Sequence, residues 1–125
     1  MKENGPRTDE SRGGSSQGFG RQFHRALASR ERRRLLAVLL DGGERQVEEV
    51  ATLLVGWDAT EFNTVEGPAD HRRVLIRLHH VHLPMLDDAG LVTHDTEDGT
   101  VRIGSLDPAT VELIERSVDA VEHRP

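Results

Sequence analysis

Between Asp70 and Val92 the run DHRRVLIRLHHVHLPMLDDAGLV holds three arginines and four histidines within twelve positions of a helical pattern. A guanidinium is a planar fork of donors that matches the O6 and N7 acceptors of guanine or a phosphate. Helical residues turn about 100° each. With Leu78 marking the core direction, Val74, Leu75, Val81 and Met85 fall on one apolar stripe, while Arg73, Ile76, His80 and Leu83 face outward and Arg72 and Arg77 lie on the flanks. Arg73 and Arg77 are one turn apart, which suits them to reading a groove. Arg72, nearer the edge, suits a phosphate, and His80 can serve at either place. The plainer alternative is that these side chains only solvate an amphipathic helix.

Other chemistries fit the residues less well. His71, His79, His80 and His82 do not share one face, and no i, i+4 histidine pair of the familiar zinc helix is present. No metal and no cofactor is expected. The chain has no cysteine and no tyrosine, no phosphate loop and no Gly-x-Ser-x-Gly turn. Asp87 and Asp88 are adjacent, so they diverge by about 100° and cannot converge on a substrate. An enzyme is therefore not expected.

The elements that would position this stretch follow from period and punctuation. Residues 1–20 mix Gly, Ser, Pro and charge with almost nothing apolar, the composition of a disordered tail, with Phe19 and Phe23 as possible anchors to the domain. Ser29 can cap a first helix through Leu35, Leu36, Val38, Leu39 and Leu40, stopped by Gly42 and Gly43, with Arg32, Arg33 and Arg34 in a solvated first turn. A short second helix runs from Gln46 to Trp57, with Glu48 and Glu49 at the favourable end of its dipole and Trp57 as a packing residue. Asp58 to Pro68 reads as a loop. The third helix starts at Pro68 and is kinked or split by Pro84, with Gly90 as its stop. Leu91 to Thr93 and Val101 to Ile103 form a two-stranded hairpin around a turn at Thr96 to Gly99. Asp107 and Pro108 open a last helix through Val111, Leu113, Ile114, Val118 and Val121, whose broad apolar arc points to a dimerisation element or to packing on its own core.

The net charge of −6 and the near absence of lysine, with Lys2 alone, give an acidic, arginine-using chain. Such usage fits a surface kept hydrated in concentrated salt, though GC-rich coding also favours arginine. Any contact with nucleic acid must then rest on a local patch. Neither a secretory segment nor a long apolar run is present in the sequence, so a cytoplasmic protein without membrane contact is expected.

The elements from Arg33 to Gly104 stand in the order helix, helix, helix, hairpin, with a helix after them, and the chain resembles the short winged helix-turn-helix proteins of haloarchaea. The residues that carry the likeness are Leu78, His80, Val81, His82, Leu83, Pro84, Leu86, Ala89 and Gly90; LHHVHLP is the distinctive run, whereas the DAGLV before the hairpin is common to many winged helices. Composition and element order predict a mainly α fold with a small β-hairpin, a winged helix-turn-helix, with a tail at 1–20, a winged domain at 21–104 and a helix at 105–125. The resemblance implies a DNA-binding domain with a regulatory role; the element order predicts that the third helix reads the major groove of double-stranded DNA, and the apolar arc of the last helix predicts a homodimer. The alternative is an adaptor of the same fold that binds a protein partner. The expected DNA contacts are Arg72, Arg73, Arg77, His80 and Arg102. One departure stands out, because the wing turn carries Glu97 and Asp98 where a phosphate-touching wing would use arginine, leaving Arg102 and His94 nearby.

Overall fold

The computed structural model describes residues 20–62 and 67–121, with side chains through Asp119. The expected disordered tail, with Phe19, lies outside the described residues, as does the side chain of Val121. The chain opens with a helix over residues 20–27 (α1) that the pattern of the sequence does not announce. Tertiary contacts make it. Phe23 and Ala26 are buried in the core. The carbonyls at its C-terminal end, which have no partner inside the helix, accept from the next helix: Arg32 donates to Ala26 O at 3.1 Å and to Arg25 O at 2.7 Å, and Arg33 donates to Leu27 O at 2.8 Å.

Helix α2 (Arg30–Gly42) starts at Ser29, whose hydroxyl accepts from the Arg32 N–H at 3.2 Å, and stops at Gly43, where φ is 73°. The solvated arginine turn expected here is overturned. Arg34 is buried beside Trp57, with its guanidinium carbon 4.9 Å from the ring centre and Nη1 2.6 Å from Asp58 Oδ1. A two-residue strand, β1 (Arg45–Gln46), leads into α3 (Val47–Phe62). Helix α3 runs five residues past the expected end at Trp57. No glycine or proline interrupts it there, and the Asp58 contact to Arg34 ties that turn to α2.

The third helical segment is split near Pro84. Helix α4 (Pro68–Arg77) passes into a π-helical turn (Leu78–His82) and then into α5 (Leu83–Asp88). In an α-helix the ring of Pro84 would press on the carbonyl of residue 80. The wider turn relieves this, and the Leu83 N–H bonds to Leu78 O, five residues back. One consequence is a change of phase. A uniform 100° step puts Leu83 outside and Val81 inside; in the structure Leu83 is fully buried and Val81 is 46% exposed. The core stripe is Val74, Leu78, His82, Leu83 and Leu86.

The hairpin consists of β2 (Val92–Asp95) and β3 (Thr100–Ile103), antiparallel, with Val92 opposite Ile103. Strand β1 adds to the far side of β3, with Arg45 opposite Val101, so the sheet has three strands in the order β1-β3-β2. The sequence shows only the last two. At the root of the hairpin a Cβ on Gly104 would lie 2.6 Å from the Gly90 carbonyl oxygen, so only glycine fits there without backbone movement.

Helix α6 (Pro108–Val121) is capped by Asp107, whose carboxylate accepts from the Thr110 N–H at 2.8 Å and is held below the usual carboxylate range by hydrogen bonds from the Thr110 side chain and backbone. It packs on α2, burying Ile114 and Val118, while Leu113 stays exposed. Two of the residues counted toward a dimer contact are thus spent inside the protomer. The fold is mainly helical with a small antiparallel sheet, an arrangement compatible with a winged helix-turn-helix.

Candidate nucleic-acid interface

The five expected contact residues fall into four situations. Arg72 and His80 are exposed, with no hydrogen bond or ion pair among the described residues. Arg73 is exposed and pairs with Asp70 three residues earlier in its own helix. Asp70 has a second task there, because its Oδ2 accepts from the Gly67 N–H at 2.9 Å and closes the first turn of α4. Arg102 stands on a different element, exposed on β3 opposite Thr93.

Arg77 is turned away from this group. Its Nε and Nη2 donate to the two carboxylate oxygens of Glu31 on α2, at 2.8 and 2.6 Å. The same carboxylate accepts from His82, with Nε2 2.8 Å from Oε1. On the other side of the ring, His82 Nδ1 lies 3.3 Å from Arg32 Nη1. A guanidinium can only donate, so Nδ1 accepts and the ring proton sits on Nε2, facing Glu31. Burial alone would raise the Glu31 pKa; the hydrogen bonds from Arg77 and His82, and the charge of Arg77, outweigh it and hold the carboxyl at about 2. The bond from Glu31 in turn raises the Arg77 pKa.

This network joins α1, α2, α4 and the π turn, and beside it opens a cavity of about 330 Å³ walled by Arg30, Arg34, Asp58 and Arg77. Sequence spacing places Arg77 one turn from Arg73 but carries no sign of Glu31, 46 residues earlier. The signal the sequence does carry is the arginine-rich turn beside Glu31, which pattern alone assigns to solvent.

Near the hairpin, His79 and His94 place their rings 6.0 Å apart, and burial, with the charge of His79 second, lowers the His94 pKa. Among the described residues no group of three or more His, Asp or Glu is arranged to hold a metal ion. At the wing tip Asp95 Oδ1 accepts from the backbone of Glu97 and Asp98, which orders an acidic turn. Among the described residues no helix is long and apolar enough to cross a membrane.

The family model described as Domain of unknown function (DUF7344) matches residues 24–102, well over half of the chain. The chain belongs to that family. The matched span of the DUF7344 domain begins inside α1 and ends inside β3, so it contains the third helical segment and nearly all of the hairpin but leaves α6 outside. No curated protein and no solved structure matches the chain.

Proposed function

We propose that the DUF7344 domain of this chain binds double-stranded DNA as a regulator, with the outer face of α4 against the duplex and Arg72 and Arg73 as its main contacts. The observation that carries the reading is the state of these two side chains. Among the described residues Arg72 is exposed and without a partner, and the only ion pair of Arg73, an arginine 61% exposed, is one within its own turn. Exposed pairs of this kind contribute about 0 to 1 kcal/mol, so a phosphate or a guanine can displace Asp70 at little cost. His80 extends the same face, and Arg77 is withdrawn from it. The acidic wing turn keeps the hairpin tip away from phosphate, with Arg102 as the wing's available cation. An acidic chain can bind DNA in concentrated salt, where the Debye length shrinks to about 3 Å at 1 M and direct contacts decide affinity.

The test is binding to a set of genomic duplex fragments at high potassium. Arg72→Ala with Arg73→Ala should weaken binding at least tenfold and reduce the slope of log K against log salt by about 1.8, the share of two phosphate contacts. Equal retention of DNA by the natural chain and this variant overturns the reading.

A second reading, an adaptor for a protein partner, is favoured by Ile76 and Val81, exposed to 58% and 46%. Ile76→Asp with Val81→Asp should then abolish capture of the partner with the fold intact. Leu83, outward on a uniform wheel, is buried and cannot serve in such a test.

A further inference from the structure

We infer that Glu31 is a positioning residue that withholds Arg77 from the DNA-facing side of α4, so that a reader available in the sequence is kept out of the interface. The inference rests on the DNA-binding reading above and adds what sets the number of contacts.

Three features fix the carboxylate. Glu31 lies in the first turn of α2, where the helix dipole favours a negative charge. His82 donates to it from a buried ring. Arg32 holds that ring from behind while its other donors close the end of α1. The acceptor therefore cannot follow Arg77 outward without undoing contacts of three helices and the π turn.

Arg77 meets this fixed acceptor through two parallel bonds, the strongest geometry a guanidinium and a carboxylate can adopt. The Glu31 side chain is only 18% exposed and the Arg77 side chain 45%, so water reaches the pair from the arginine side while the carboxylate stays sheltered. A DNA phosphate offers the same two oxygens from a hydrated surface. To take Arg77, it must leave a sheltered carboxylate with His82 as its remaining donor. Asp70 and Arg73 present the opposite case, one turn away, with an arginine 61% exposed. The two arginines differ in availability, not in reach.

The experiment measures affinity and salt dependence for one DNA fragment retained by the natural chain. Arg77→Ala alone should leave affinity within about twofold, because Arg77 is not in the interface. Glu31→Gln should tighten binding about fivefold and steepen the salt slope by about 0.9, the signature of one further phosphate contact. The double variant Glu31→Gln with Arg77→Ala should lose that gain, which separates release of Arg77 from the mere removal of a negative charge. Glu31→Asp, which keeps the charge, should return binding toward that of the natural chain. A purely structural role for Glu31 would lower thermal stability and leave the salt slope unmoved, and that result overturns the inference. Loss of binding in Arg77→Ala overturns it too, since Arg77 would then already touch DNA, and this arm does not depend on how well Glu31→Gln folds. If Arg72→Ala with Arg73→Ala also binds as the natural chain does, the DNA-binding reading itself has failed; if that variant is weakened and Glu31→Gln shows no gain, only the role of Glu31 has.

Discussion

The two sides of the third helical segment are built under different rules. On the inner side Leu78, Leu83 and Leu86 are fully buried and His82 is bonded at both ring nitrogens, and at its flank Arg77, itself exposed, is fixed to another helix. On the outer side Arg72 and His80 have no partner among the described residues, Arg73 bonds only within its own turn, and Ile76 and Val81 stand in solvent. The inner side is committed to the domain and the outer side can be redeployed. Charge alone does not tell the two apart, since both carry arginine and histidine; the location of each partner does.

The contrast is sharpest in the aliphatic residues. Leu83→Ala should cost about 3 kcal/mol in chemical denaturation by opening a cavity, whereas Val81→Ala, two residues away, should stay within about 0.5 kcal/mol. Equal effects would mean that the face does not change at the π turn. The arginines should follow the same division. Arg77→Ala should cost about 1.5 kcal/mol, because it strips two charge-assisted bonds from a sheltered carboxylate, and Arg73→Ala should fall within about 0.5 kcal/mol. The smallest effect is on the acid limb. Glu31 has a folded pKa of about 2 against a usual 4.5, so the unfolded chain takes up its proton first. The stability it contributes is complete above pH 4.5 and is lost as pH falls toward 2. Glu31→Gln should flatten that part of the pH–stability curve, and an unchanged acid limb would mean that the carboxylate is not held as described.

Much of the fold could be read from local signals that agree with one another. Ser29, Gly43, Pro68, Asp107 and Pro108 each carry backbone chemistry suited to a helix end, and the alternation around Val101 marks a strand. What escaped the sequence depends on contacts between distant residues. Helix α1 needs the arginines of α2 to cover its carbonyls, and β1 is too short to show a period. The extension of α3 beyond Trp57 is tied to a buried ion pair with Arg34. For the candidate site, the exposure of Arg72, Arg73 and His80 follows from the helical wheel, but the capture of Arg77 does not. A wheel describes one helix and has no place for a carboxylate on another. Leu83 and Val81 were misplaced for a different reason, since the wheel assumes a constant step and the turn ahead of Pro84 breaks it.

The π turn has a further effect at a distance. The hairpin hangs from α5, which follows that turn, and its root is closed by the tight approach of Gly104 to Gly90. Helix α5 therefore bears on the hairpin from the β2 side, while β1 and α2 hold β3 from the other. The orientation of the hairpin is thus shared between one widened ring upstream and a two-residue strand at its far edge, neither of which belongs to the hairpin itself.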